Sequence, residues 1–205
     1  MSDTWKGKDI AAAQRLVVDG ELAALKQSRA FWMLFRALDV FEVDLVQKMP
    51  ASILDIGCGC GHYGWALEHM YPQNLRYTGT DSSPEMIEQA KDLYPKGMFY
   101  VRNFYENFPA TFDIVMVSQC IEYLVSPLGA LHWLLGKADL VILHKLRLTH
   151  GDSVRIEEET YCGRVAKTTL WNADVILRRC SETHDVRIFM WPEGNIMTLA
   201  LRRMD

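Results

Sequence analysis

Ser52-Ile-Leu-Asp55-Ile-Gly57-Cys58-Gly59-Cys60-Gly61, then a helical segment to Tyr71, then Leu75-Arg-Tyr-Thr-Gly-Thr-Asp81, is the stretch that decides the fold. It reads as strand, glycine loop, helix and strand. Ile53, Leu54 and Ile56 make a short apolar run suited to a buried strand. Gly57, Gly59 and Gly61 leave out side chains where backbone must approach a ligand and turn into a helix. Asp81 closes the second strand about 20 residues after Gly61, where a carboxylate accepts hydrogen bonds from ribose hydroxyls.

Gly59-Cys-Gly61-His-Tyr-Gly64 also matches the GxGxxG string of dinucleotide sites, and alone that match is weak. Asp55, two residues before Gly57, separates the two kinds of ligand. A dinucleotide puts its pyrophosphate on the helix N-terminus, and a carboxylate facing that point repels it. A cationic ligand is attracted. The competing reading has Asp55 facing away, capped or solvated.

Leu54-Asp-Ile-Gly-Cys-Gly59 with Gly61 resembles the first motif of the class I S-adenosylmethionine-dependent methyltransferases. Gly79-Thr-Asp81-Ser-Ser83-Pro-Glu-Met86-Ile-Glu-Gln-Ala90 is similar to their second. Phe112-Asp-Ile-Val-Met-Val-Ser118 and Ile121-Glu-Tyr-Leu124 look like their fourth strand and the segment after it. S-adenosylmethionine carries an ammonium and a sulfonium and no phosphate, which agrees with Asp55. The resemblance implies an α/β fold: a Rossmann-like, seven-stranded, mostly parallel sheet with helices on both faces and a C-terminal antiparallel hairpin. It implies S-adenosylmethionine as cofactor, held by Asp55, Gly57, Cys58, Gly59, Gly61, Asp81, Ser82, Met86, Asn103, Phe104, Ser118 and Gln119. At Asn103 the family commonly has an acidic residue on the adenine amino group; an amide oxygen still accepts there. Met86 stands where the family packs a residue near adenine, and it also reads as a plain core methionine.

The 205 residues suit one globular unit, 50–205, preceded by a helical cap or lid over 1–49. Apolar residues at 49% and charged residues at 23% are ordinary for a soluble domain. A net charge of -4 argues against a broad phosphate-binding surface. Five cysteines, two inside the glycine loop, make no disulfide framework and suit a reducing cytoplasm. No apolar run reaches spanning length, so no membrane partner is expected, and the N-terminus lacks a signal pattern.

Leu22, Leu25, Trp32, Phe35 and Leu38 recur at near-helical spacing, widened by Phe31 and Leu34, after a helix start expected at Asp19-Gly20-Glu21. The stripe reads either as core packing against the sheet or as a lid. A second helix is expected over 40–49. Ser83-Pro84-Glu85 reads as cap, first-turn proline and favourable carboxylate of a helix. Residues 146–167 are polar and are assigned to substrate contact, 168–180 to a helix. Val186 to Trp191 and Ile196 to Leu201 flank Pro192-Glu-Gly-Asn195 as a hairpin.

A sulfonium is an already activated methyl donor, so the protein must chiefly orient a nucleophile and, for some acceptors, take up a proton. Candidate bases are His144, at the end of the fifth strand, His150 and Glu122; each also reads as structural. Cys58, Cys60 and His62 do not match common zinc spacing and no metal is expected. The leading function is methyl transfer to an oxygen or nitrogen nucleophile of a small molecule. A nucleic-acid acceptor is disfavoured by the absence of an Asn-Pro-Pro-aromatic motif and of a basic module, with tRNA left open. The alternatives are a non-catalytic S-adenosylmethionine-binding protein and an NAD(P)-dependent oxidoreductase.

Overall fold

Alternation along the strands decides which side chain goes to which face. In the computed structural model, which describes residues 5–40, 51–72, 75–106, 108, 110–149, 154–191 and 195–204, β1 spans Ala51–Ile56 and β4 spans Ile114–Ser118. Ile53, Ile114 and Met116 enter one hydrophobic cluster; Leu54, Ile56, Val115 and Val117 enter another on the opposite face. Strands buried on both faces need apolar residues at nearly every position, which is what these runs supply.

Parallel pairing gives the order β3-β2-β1-β4-β5, with β2 Leu75–Asp81, β3 Met98–Val101 and β5 Leu140–Thr149. β9 (Ile196–Arg203) runs antiparallel to β5, and β8 (His184–Met190) antiparallel to β9. These seven strands are the expected sheet with its closing hairpin. α2 (Arg29–Asp39), α3 (His62–Met70) and α4 (Pro84–Leu93) cover one face through Phe31, Leu67 and Ile87. α5 (Pro127–Leu135) and α6 (Ala173–Ser181) cover the other through Leu131 and Ile176. Ser83 caps α4 as read from sequence: its hydroxyl accepts from the Met86 N–H at 3.3 Å.

Three segments differ from the sequence expectation. First, α1 (Lys8–Ala23) runs straight through Gly20, so no helix begins at 19–21. Second, the described part of 146–167, assigned to substrate contact, is mostly strand. β5 continues to Thr149, and β6 (Arg155–Tyr161) and β7 (Arg164–Asn172) form a hairpin about Cys162-Gly163. β7 joins the sheet by lying parallel to the end of β5, Leu148 opposite Trp171. Third, the helix expected over 168–180 begins only at Ala173. Thr168, Thr169, Leu170 and Trp171 are β-branched or bulky and sit in β7, and Asn172 caps α6 by accepting from the Val175 N–H at 2.9 Å. In α2 the buried face is Phe31, Leu34, Ala37 and Leu38, while Trp32 points outward. Residues 41–49 of the helix expected over 40–49, the turn residues 192–194 and His150 lie outside the described residues.

Candidate functional site: a cleft between the glycine loop, the strand ends and the first helix

The loop after β1 is tied to the end of β2. The N–H groups of Gly57 and Cys58 donate to the Thr80 carbonyl at 2.7 and 2.9 Å. Asp81 then reaches across: its carboxylate accepts from the Gly59 N–H at 3.1 Å and from the Ser83 N–H at 2.9 Å. Burial raises the Asp81 pKa, opposed by the N–H groups of Ser83, Gly59 and Ser82. Gly61 caps α3 with φ at +73°, and a Cβ there would come within 2.9 Å of Ala90 and Phe99. Its role is close packing of the loop onto α4 and β3, away from the cleft wall.

The cleft is partly open to solvent. Gly57, Cys58, Gly59, Asp81 and Met86 line its loop end, and Ser118, Gln119 and Cys120 line the end of β4. Of the residues expected to hold a cofactor, seven therefore share this wall: Gly57, Cys58, Gly59, Asp81, Met86, Ser118 and Gln119. The Ser118 hydroxyl donates to the Tyr63 hydroxyl at 3.0 Å. Cys60 lies beneath, its Sγ 3.7 Å from the Met86 sulfur, and burial lifts its thiol to about 12.

Asp55 is not on the wall. Alternation in β1 sends it to the face of Ile53, where it is fully buried and accepts a short hydrogen bond from the Tyr77 hydroxyl. Its other oxygen has no hydrogen-bond partner. The negative charge that meets the cleft is Asp81's alone of the two. Ser82 is buried beside Asp81 and Phe104 packs against Tyr105 and Trp133, both off the wall. Asn103 is also off it; its amide donates to Glu106 at 2.8 Å.

The expected bases are displaced too. His144 is fully buried within the sheet, Nδ1 2.9 Å from the Thr198 hydroxyl, and burial drives its pKa far down. The residue that reaches the cleft from β5 is its neighbour, Lys145. A register shift between Leu143 and Leu146 bulges the strand and puts Lys145 at φ +58°. Such a bulge re-aims a side chain. Glu122 is buried with both carboxylate oxygens unpartnered.

The cap or lid expected over 1–49 came with no residue assigned to the cleft, because a helix of ordinary composition carries no mark of what it covers. Gln14, Val17, Val18 and Glu21 line the cleft from α1. So do Trp5, Tyr123 and Tyr161, whose rings meet at 4.8 Å (Trp5–Tyr123) and 5.8 Å (Trp5–Tyr161). His62 lines it as well, its pKa pushed down to about 3 by burial and then by the Lys145 charge.

Two buried carboxyls set a stability-versus-pH prediction. Burial raises Asp55 from 3.8 to about 7 and Glu122 from 4.5 to about 7. Below their ordinary values folded and unfolded chains are both protonated. Between there and pH 7 the folded chain keeps protons that the unfolded chain has lost, so stability falls as pH rises through that window. Urea unfolding should show a loss of ~2–4 kcal/mol from pH 5 to pH 8. Asp55→Asn, which keeps an acceptor for Tyr77, and Glu122→Gln should each flatten part of that slope. Equal slopes in wild type and both variants would contradict it.

A family model described as a methyltransferase domain matches residues 53–133. A trans-aconitate 2-methyltransferase of Escherichia fergusonii is 30% identical over 89 residues, 40% of this chain and 34% of that protein. A malonyl-[acyl-carrier protein] O-methyltransferase of Neorickettsia risticii is 28% identical over 99 residues, 47% of this chain and 39% of that one. The match thus spans little more than a third of the length of these curated relatives. The fold is similar to that of S-adenosylmethionine-bound CalS10, an amino pentose methyltransferase from Micromonospora echinaspora. That likeness has a TM-score of 0.63 at 14% identity, over 91% of this chain and 96% of that one. An S-adenosylmethionine-dependent methyltransferase from Clostridium acetobutylicum gives 0.65 at 10% identity, over 95% and 100%.

Proposed function

Since its methyltransferase domain at residues 53–133 makes this chain a member of the class I, Rossmann-like S-adenosylmethionine-dependent methyltransferases, we propose that it methylates an oxygen or nitrogen nucleophile of a small molecule. One observation carries the reading. The Asp81 carboxylate is fixed by two backbone N–H groups beside a glycine cradle on the wall of one cleft. That wall end carries the Asp81 carboxylate, with Cys58, Met86 and Gln14 beside the glycines. It suits a ligand with a ribose and positive charge, and it disfavours a pyrophosphate.

S-adenosylmethionine, when bound, supplies a methyl group on a sulfonium, already activated for transfer. Gly57 and Gly59 leave room for backbone to approach it, and Asp81 accepts from hydroxyls. Ser118 and Gln119 stand where ligands meet an open α/β sheet, at a strand end. Gln119 does so with φ at +46°, a backbone setting uncommon outside glycine. Of the cap expected over 1–49, α1 closes the cleft in this reading, while α2 belongs to the core. Five free cysteines fit a cytoplasmic setting. No helix among the described residues is long and apolar enough to cross a membrane.

Calorimetry with S-adenosylmethionine, S-adenosylhomocysteine and NAD tests the cofactor assignment. The two nucleosides should bind at micromolar concentration and NAD at least 100-fold more weakly. Preferential binding of NAD would overturn the reading. Binding of both nucleosides with no acceptor-dependent formation of S-adenosylhomocysteine would leave a binding protein in place of an enzyme.

A further inference from the structure

Glu21 is a carboxylate that the chain itself inserts into the cleft. It comes from α1, and its two oxygens lie 3.5 Å from the Lys145 ammonium and 3.6 Å from His62 Nε2. Lys145 is the one cationic side chain on the cleft wall among the described residues, since His62 is neutral there. The Lys145 side chain is only 16% exposed. A non-glycine residue at φ +58° is strained, and such strain is retained where position matters. Among the described residues, the three non-glycine residues of positive φ, Gln119, Lys145 and Cys162, are all on this wall or next to it, Cys162 following Tyr161.

A second feature of the same wall concerns bases. His144 and Glu122 are off it, and His62 is too weakly basic to take a proton near neutral pH. The carboxylates on the wall among the described residues are both engaged, Glu21 by Lys145 and Asp81 by the Gly59 and Ser83 N–H groups, so a neutral alcohol or a protonated amine meets no free base there. A nucleophile already ionised at pH 7 needs none.

We propose that the methyl acceptor is a carboxylic acid, bound through its carboxylate to Lys145 in the place that Glu21 now holds, and methylated on a carboxylate oxygen. This rests on the methyltransferase reading and adds the acceptor's chemical class. One oxygen of the acceptor is held by Lys145; the other takes the methyl group, its lone pair forming the new O–C bond while the sulfur–carbon pair stays on sulfur. A methyl ester and a neutral thioether result, and no proton moves. The ester has lost the charge that held it to Lys145, so Glu21 can return and displace it. Glu21 thereby couples closure of α1 to an empty acceptor site.

The test titrates benzoate, succinate and citrate, and the matching amides, into the full chain with S-adenosylhomocysteine present. At least one carboxylate should bind tenfold or more tighter than its amide. Lys145→Met should weaken that carboxylate at least tenfold, and Lys145→Arg should restore part of it. Glu21→Gln should tighten it, and it carries the test if Lys145→Met fails to fold. With S-adenosylmethionine in place of the product, a bound carboxylate should gain one methyl as an ester, read by mass. The inference is overturned if neither wild type nor Glu21→Gln binds any of the three acids. It is overturned too if amides bind as well as acids, or if folded Lys145→Met binds the acid unchanged. Failure of S-adenosylhomocysteine itself to bind removes the methyltransferase reading, a different result from cofactor binding without carboxylate binding.

Discussion

Gly57→Ala is expected to abolish measurable S-adenosylmethionine binding and to lower the thermal midpoint by roughly 5–15 °C. Two independent effects add. Gly57 has φ at +77°, where an alanine costs about 1 kcal/mol or more. A Cβ there would also come within 2.4 Å of the Cys120 Sγ and 2.8 Å of its Cβ. Neither is the far end of a flexible chain, so relief must come from moving the segment after β4 or the loop itself. Overpacking of this kind costs ~1–3 kcal/mol. Both segments line the cleft, so whichever moves, the cradle is lost. A second change separates the two effects. Cys120→Ala in the Gly57→Ala background removes the sulfur clash but leaves the Cβ contact and the backbone strain. It should restore less than half of the lost midpoint and no binding. An unchanged midpoint and affinity in Gly57→Ala alone would refute the account.

That loop was legible because each of its requirements leaves a residue type behind. Close packing of the loop leaves glycine, a carboxylate that ties the loop to the next helix leaves Asp81, and a helix start leaves Ser83-Pro84. The sheet was legible for a similar reason: burial on both faces leaves unbroken apolar runs in β1, β4 and β5. Lys145 was readable only as a residue at a strand end. Its reach into the cleft depends on a bulge set by pairing with β9, some fifty residues away, and nothing local encodes that pairing. His144 and Asp55 were misplaced for the same cause. A single-residue change of register or face decides whether a strand-end side chain meets ligand or core. The β6–β7 hairpin was hidden because its outer strand is polar. Within that segment Glu159 is held by Arg147 and by the Tyr123 hydroxyl. For α1, a cap was expected but its contact residues were hidden. Its buried residues Ile10, Ala11 and Val18 pack on Cys60 and Met86, a contact that only the folded loop creates.

Asp81→Ala should weaken S-adenosylmethionine about 100-fold, close to 3 kcal/mol. The carboxylate has two duties, and the substitution removes both. It accepts from Gly59 and Ser83, so its loss strands two N–H groups at the loop and at the start of α4. It is also the acidic side chain at the loop end of the cleft wall, the end assigned to ribose and to positive charge. Asp81→Asn divides the duties. An amide has a single acceptor oxygen, so it satisfies one N–H and presents its own donors to the other. It should lose at least tenfold in affinity while keeping more stability than alanine. The pH dependence gives an independent check. Burial raises the Asp81 pKa above 3.8. Protonation as pH falls removes the negative charge, so affinity for the cationic ligand should fall on the acid side sooner than for an ordinary aspartate. The alanine variant has no such group and should lack that acid limb. If Asp81→Ala bound S-adenosylmethionine as tightly as wild type, with the same pH profile, the cleft beside the glycine loop would not be the cofactor's.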